Sequence, residues 1–112
     1  MNDILSIALS TMIQTSLIGE WAKVGMCDKE RKVFTSTEKY FEIEKKIGGW
    51  KSSEIYSYDV IDTVINVKKS SNITASLMKV EAMTLGSIDY CSSENNSWNC
   101  SNDNYLEKCG ER

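Results

Sequence analysis

The sequence of 112 residues contains no histidine and no proline. Without histidine the chain has no imidazole base for catalysis, no imidazole metal ligand and no imidazole switch near neutral pH. It also has no run of clustered Lys and Arg, and its 13 basic residues against 16 acidic ones give a formal net charge of −3. Because nucleic-acid binding needs a concentrated basic surface, we expect no nucleic-acid partner.

Long hydrophobic runs are also missing: none approaches the roughly 20 residues of a membrane-spanning helix, so we expect no transmembrane segment. Residues 4–18 are apolar enough to resemble a signal-peptide core, but Asp3 stands where a basic residue is expected and no small-residue cleavage site precedes Gly19. The apolar residues instead recur in pairs every four positions, which predicts an amphipathic helix over residues 1–17. We interpret it as part of a mature chain whose signal was removed, with Met1 added for expression.

Four cysteines are present: Cys27, Cys91, Cys100 and Cys109. No two have the C-x-x-C spacing of zinc knuckles or thioredoxin-like motifs. Disulfides in an oxidising compartment, periplasmic or secreted, are the favoured interpretation. A four-thiolate zinc site and four free thiols are the alternatives. Among the three pairings we favour Cys27–Cys91, which closes a long loop, and Cys100–Cys109, which staples the C-terminal segment.

After residue 18 the hydrophobic period changes from that of a helix to that of strands. Short β-branched or alternating segments follow one another, and Gly48-Gly49 signals a hairpin. The segments are 21–24, 32–35, 39–45, 54–60, 63–68, 73–83 and 85–90. This rhythm predicts a mainly β chain, a small antiparallel up-and-down barrel of seven to eight strands with a short N-terminal helix. We divide the single domain into helix 1–17, barrel 18–91 and a polar, disulfide-stapled tail 92–112.

The triplet Gly19-Glu20-Trp21 follows the predicted helix and opens the first predicted strand. A helix, a G-x-W motif and a run of antiparallel strands resemble the calycin superfamily, which includes the lipocalins. The match is closer to small bacterial lipocalin-like barrels, and in particular to inhibitors of secreted metalloproteases (serralysins). The resemblance implies that Trp21 plugs the closed end of the barrel. The family also has a late basic residue packed over this tryptophan, which has no evident counterpart here, since Lys79 is the only candidate before the tail.

No residue is assigned to catalysis, to a metal or to a cofactor, and we predict that the protein is not an enzyme. Glu42 and Glu44 share a strand face as a glycosidase pair would, but beside Lys45 and Lys46 they are better explained as solvated charges. The candidate binding residues are aromatic: Tyr40, Tyr56 and Trp50. The two tyrosines either line a cavity or fill the core, and Trp50 is either an exposed anchor behind the hairpin turn or an inward cap.

Two functional classes remain. The first is a non-catalytic extracytoplasmic barrel that binds a small apolar ligand or a protein partner. The second is an inhibitor or immunity protein that blocks an enzyme such as a secreted protease. An inhibitor of the resembled kind inserts an extended N-terminal segment into its target, whereas a helix packed over the barrel mouth favours the ligand binder.

Overall fold

The computed structural model describes residues 12–69, 73–101 and 103–112. Residues 12–17 form a helical segment, α1, and the part of the predicted helix before residue 12 lies outside the described residues. Ten strands follow. They are β1 Gly19–Lys23, β2 Glu30–Phe34, β3 Lys39–Lys46, β4 Gly49–Ser52, β5 Tyr56–Ile61, β6 Val64–Lys68, β7 Thr74–Met83, β8 Ser87–Glu94, β9 Ser97–Asn99 and β10 Tyr105–Lys108.

Eight of these strands form a closed antiparallel barrel. Around the barrel the order is β1, β2, β3, β5, β6, β7, β8 and β10, and β10 closes the ring by pairing with β1, where Lys108 lies opposite Trp21. Since each strand lies beside the next barrel strand of the chain, the topology is up-and-down. The fold class predicted from the strand rhythm is therefore confirmed.

The remaining two strands lengthen the wall at one end. β5 pairs with the first half of β3, whereas β4 pairs with its second half, where Gly49 lies opposite Lys46. In the same way β10 pairs with the first half of β8 and β9 pairs with its second half. Because β3 and β8 run in the same direction, both hairpins extend at the same end, which we call the mouth.

The C-terminal segment is part of the barrel. The prediction from sequence ends the barrel at residue 91 and assigns 92–112 to a polar tail. In the structure, β8 continues to Glu94 and β10 lies within that segment. Leu106 of β10 is fully buried in the core. A strand of four residues with one core side chain has almost no hydrophobic pattern of its own, and pairing with β1 and β8 makes it a strand.

The end opposite the mouth is filled with apolar side chains. α1 lies here, and its Ile13 and Leu17 join the core cluster. Gln14 Nε2 donates to Glu38 Oε1 in the β2–β3 turn at 3.3 Å. The largest fully buried side chains of the described residues are Trp21, Phe34, Leu17, Ile65, Ile88 and Leu106. α1 therefore closes this end, not the mouth, which corrects the expectation that the helix packs over the mouth. No helix in the described ranges is long and apolar enough to span a membrane.

Candidate functional site

A cavity of about 450 Å³ opens at the mouth, on the inner face of β1 to β4. Trp21, which is fully buried, forms its floor. The other residues that border it include charged and hydroxyl side chains: Lys23, Glu30, Lys32, Glu42, Glu44, Lys51, Ser52 and Ser53. This volume is within the range of small-molecule sites, but the wall is charged, whereas such sites are mostly apolar.

Strand register arranges the cavity side chains in two rows. In the floor row, Lys32 lies opposite both Trp21 on β1 and Glu42 on β3. The rim row lies two residues further along each strand, towards the opening. There Glu44 lies opposite both Glu30 on β2 and Lys51 on β4. Directly opposite residues share a face of the sheet, and positions two apart along a strand share it too. Both rows therefore project to the same side as the buried Trp21.

The floor row is internally bonded. Lys32 Nζ lies 3.4 Å from Glu42 Oε2. The phenol of Tyr40 donates to the same carboxylate oxygen at 2.6 Å. Burial, and then this hydrogen bond to Glu42, raise the pKa of Tyr40 far above its ordinary value. Tyr40 therefore remains a protonated donor that fixes the Glu42 carboxylate against the cavity floor.

The rim row carries charges that the protein itself compensates poorly. Glu44 pairs with Lys46 at 3.0 Å, and Glu30 lies directly opposite it on the neighbouring strand. Among the described residues, no ion pair is formed by Glu30, Lys23 or Lys51. Like charges directly opposite each other destabilise a sheet. The rim therefore presents charges of both signs that a ligand can neutralise.

The carboxylates that sequence analysis places on a solvated face border this cavity. The alternation along β3 is as predicted, with Glu42 and Glu44 on one face and Phe41 and Ile43 on the other. At the mouth, however, the charged face is the inner one, and Ile43 is buried on the outer face. The pattern alone gives no signal for this inversion.

Trp21 of the G-x-W triplet is fully buried. It lies in the core and its indole N–H donates to the Leu17 carbonyl at 2.7 Å. Lys108 Nζ lies 5.5 Å from the centre of the Trp21 ring. A Cβ on Gly19 would approach Lys108 Cε to 2.8 Å, so the glycine leaves room for this lysine. Lys108, and not Lys79, is therefore the late basic residue, and the barrel is consistent with a calycin-like fold.

Trp50 adopts neither predicted orientation. Ile47 and Gly48 form the turn, Gly49 already belongs to β4, and Trp50 is a strand residue opposite Lys45. The ring lies half-buried on the outer face of the sheet, 5.5 Å from the Arg31 guanidinium carbon and 5.3 Å from Lys45 Nζ. The fully exposed residue at the hairpin tip is Ile47.

The other two candidate residues lie together inside the barrel. Tyr40 is buried against Phe34, with ring centres 4.9 Å apart, and Tyr56 stacks on Tyr40 at 6.3 Å. Tyr40 touches the site through its bond to Glu42, whereas Tyr56 does not border the cavity. The structure therefore separates the three aromatic residues, with Trp50 on the opposite face of the sheet from Tyr40.

Arg31 is a buried charge that sequence analysis does not single out. It is 4% exposed and lies on the outer face of β2. Its guanidinium donates to the carbonyls of Cys27 at 2.7 Å and Gly110 at 2.6 Å, and to Glu20 at 3.2 Å. Glu20 and Cys27 belong to the same β1–β2 hairpin as Arg31, whereas Gly110 is 79 residues away in the sequence, so no sequence motif indicates the complete set of contacts. Arg31 anchors the C-terminal residues to the outer wall.

All four cysteines form disulfides, but the favoured pairing is wrong. The bonds are Cys27–Cys109 and Cys91–Cys100. Barrel closure brings the residue after β10 to the outer face of β1, where the β1–β2 loop carries Cys27. The second bond follows from a two-residue turn, Asn95-Asn96, both with positive φ. In the strand register that this turn sets, Cys91 lies opposite Cys100. Asn-Asn between the two cysteines was the available signal.

One disulfide also excludes a zinc site at one group of possible metal ligands. Glu81, Cys91 and Cys100 have ligand atoms within 4.8 Å of one another. Both sulfurs are bonded to each other, so neither is the thiolate that a zinc site requires. Two disulfides are typical of an oxidising extracellular environment.

Comparison of the chain with protein-family models, with curated proteins and with solved structures found no match. The site is therefore interpreted from its geometry.

Proposed function

We propose that this protein is a non-catalytic extracytoplasmic binding protein, periplasmic or secreted, whose binding site is the cavity at the mouth. One observation carries the proposal: the barrel is closed and filled at one end, while the other end keeps an open, charged cavity of about 450 Å³. The like-charge pair Glu30 and Glu44 at the rim lowers stability without a ligand, which favours a binding role. The charged wall favours a polar partner over the small apolar ligand expected from sequence.

The chemistry of the lining supports binding without catalysis. The sequence has no histidine, and all four cysteines are in disulfides. The two serines that border the cavity bond to backbone: Ser52 Oγ donates to the Ser53 carbonyl, and Ser53 Oγ donates to the Glu54 carbonyl. Neither hydroxyl is hydrogen-bonded to a base, as a nucleophile would need to be.

The alternative, inhibition of a secreted protease, is less well supported in the form that the resemblance implies. Insertion of an N-terminal segment requires an extended, free chain before Gly19. The described residues 12–17 are helical, and Ile13 and Leu17 are buried in the core. An inhibitor built on this fold would have to use another surface.

Amide chemical-shift mapping tests the proposed function. Labelled protein is titrated with two groups of probes, charged or zwitterionic small molecules and uncharged apolar ones such as indole. We expect saturable shifts at Lys23, Lys32 and Lys51, and their loss on the double substitution of Glu30 and Glu44 by Gln. Lys39→Gln, an exposed change outside the cavity, is the matched control. Saturable shifts confined to other surfaces, or none with any probe, would refute the mouth as the binding site.

A further inference from the structure

The strand β4 has an unpaired edge beside the cavity. Ser53 N–H donates to the Glu42 carbonyl at 2.8 Å, which makes that pair a hydrogen-bonded one. Hydrogen-bonded and non-bonded pairs alternate along an antiparallel ladder, so the backbone groups of Trp50 and Ser52 point away from β3. No described strand pairs with that side of β4. Two N–H donors and two carbonyls are therefore available along this edge.

The same edge is the boundary of the charged site. Lys51 and Ser52 both border the cavity. Lys51 ends the rim row, and no described carboxylate forms an ion pair with it. A strand added at this edge would place one side chain directly beside Lys51, on the cavity face. Opposite charges are the favourable cross-strand pair at such a position.

The outer face of the edge carries Trp50 and Ser52, with Arg31 and Lys45 beside the Trp50 ring. The Trp50 ring is half-buried there, and Ile47 and Ile55, which flank β4 in the sequence, are exposed. In the added strand, the residues on either side of the one beside Lys51 would project to this outer face, next to Trp50. Aromatic and β-branched side chains form the favourable cross-strand pairs in this environment.

We propose that β4 binds an extended peptide segment of a partner protein as an added strand, with an acidic residue beside Lys51 and β-branched residues on either side. This inference rests on the proposed function, since it names the kind of partner that the mouth accepts. Main-chain hydrogen bonds to Trp50 and Ser52 supply the binding, and the side-chain row supplies the specificity. A short edge strand with a lysine is also a typical defence against unwanted pairing. Here the lysine disfavours basic segments and admits acidic ones.

The experiment uses the intact oxidised protein and three blocked pentapeptides, acetyl-Thr-Val-X-Val-Thr-amide with X as Glu, Gln or Lys. We expect the Glu peptide to bind best and to shift the amides of Trp50, Lys51 and Ser52. From one cross-strand charge pair, the Gln peptide should bind about two- to five-fold more weakly, and the Lys peptide more weakly still. N-methylation of the two valines removes the donors that face β4 and should abolish binding.

A charge-reversal variant distinguishes charge-specific binding from non-specific binding. Lys51→Glu should reverse the preference, so that the Lys peptide binds more tightly than the Glu peptide. Lys39→Glu, the same change on an exposed position outside the cavity, should leave the original order. An unchanged preference in the Lys51 variant, or binding that survives N-methylation, would overturn the proposal.

The remaining outcomes distinguish this inference from the proposed function. If small charged molecules shift the mouth residues but no peptide shifts β4, the added strand is wrong and the binding site stands. If neither kind of probe binds at the mouth, both are wrong. A concentration-dependent dimer in analytical ultracentrifugation, with shifts at Trp50 and Ser52, would mean that a second copy occupies the edge and would also overturn the inference.

Discussion

The two ends of the barrel are built on opposite principles. At the closed end, inward side chains such as Trp21 and Phe34 are apolar and fully buried. At the mouth, the inward side chains of the same strands are charged, and apolar burial moves to the outer face, where Ile43 is 3% exposed beside Arg31. The closed end therefore supplies most of the core, and the mouth can keep charges that do not stabilise the fold. The part of the barrel that stabilises the fold is therefore separate from the part that we propose as the binding site.

The largest effect that we predict concerns the outer wall. Removing Cys27–Cys109 with a double Cys→Ser substitution should lower the free energy of unfolding by about 4.5 kcal/mol, because its 82-residue separation constrains most of the unfolded chain. The same change at Cys91–Cys100, nine residues apart in the mouth hairpin, should cost about 2.5 kcal/mol. Urea denaturation measures both. A larger loss at the mouth hairpin would contradict the ranking.

The next prediction tests the closed end directly. Trp21→Ala should cost about 3–5 kcal/mol, because it leaves a cavity in a fully buried site. Trp98, which is 40% exposed on β9, is the matched control and should tolerate alanine with a loss below about 1 kcal/mol. Similar midpoints for the two variants in urea would show that Trp21 is not the plug of the barrel.

A smaller effect is expected where the two ends meet. Tyr40→Phe keeps the buried ring and removes the hydrogen bond to Glu42, which should cost about 1–2 kcal/mol at pH 7. Because the pKa of Tyr40 is raised in the folded state, its contribution is complete below the unfolded value of about 10 and is lost as the pH rises above it.

Urea denaturation between pH 8 and 11 measures this contribution of Tyr40 to the free energy of unfolding. The stability difference between the native protein and the Phe variant should shrink above about pH 10. A difference that stays constant or grows across that range would show that the Tyr40 proton is not held in the folded state.

The smallest predicted effect has the opposite sign. Glu30→Gln removes a like-charge pair at the rim and should stabilise the fold by about 0.2–1 kcal/mol at low ionic strength. The gain should decrease in high salt, since exposed charges are screened. Combining it with Glu44→Gln gives the coupling between the two positions. Destabilisation by Glu30→Gln would mean that this carboxylate has a favourable partner at the mouth.

Several features of the fold were predictable because they depend on local pattern. Alternation along 39–45 and 54–60 marks β3 and β5, and the G-x-W triplet marks the entry to β1. The short strands β4, β9 and β10 were not predicted, because pairing and not hydrophobic periodicity makes them strands. The disulfide pairing was missed for a related reason, since the Asn95-Asn96 turn that sets one pair was counted as tail.

The candidate site was less predictable than the fold. The residues Glu42 and Glu44 are exposed, as predicted, but the sequence did not indicate that they lie on the inner face at the mouth. A period-two pattern gives two faces and does not say which one lines the barrel. Arg31 was overlooked because one of its acceptors, the Gly110 carbonyl, lies 79 residues away and reaches it only when the barrel closes.

The sequence by itself determined the class of the fold and the absence of histidine chemistry, and it favoured disulfides for all four cysteines. These follow from composition and from patterns a few residues long. Tertiary structure alone decided that Cys27 pairs with Cys109, which strand closes the barrel and that charged side chains at the mouth face inward. Each of these depends on which segments become neighbours, and that is fixed by burying Trp21, Leu106 and the rest of the core together. Local pattern carries no information about contacts made 80 or more residues apart, such as Cys27 with Cys109.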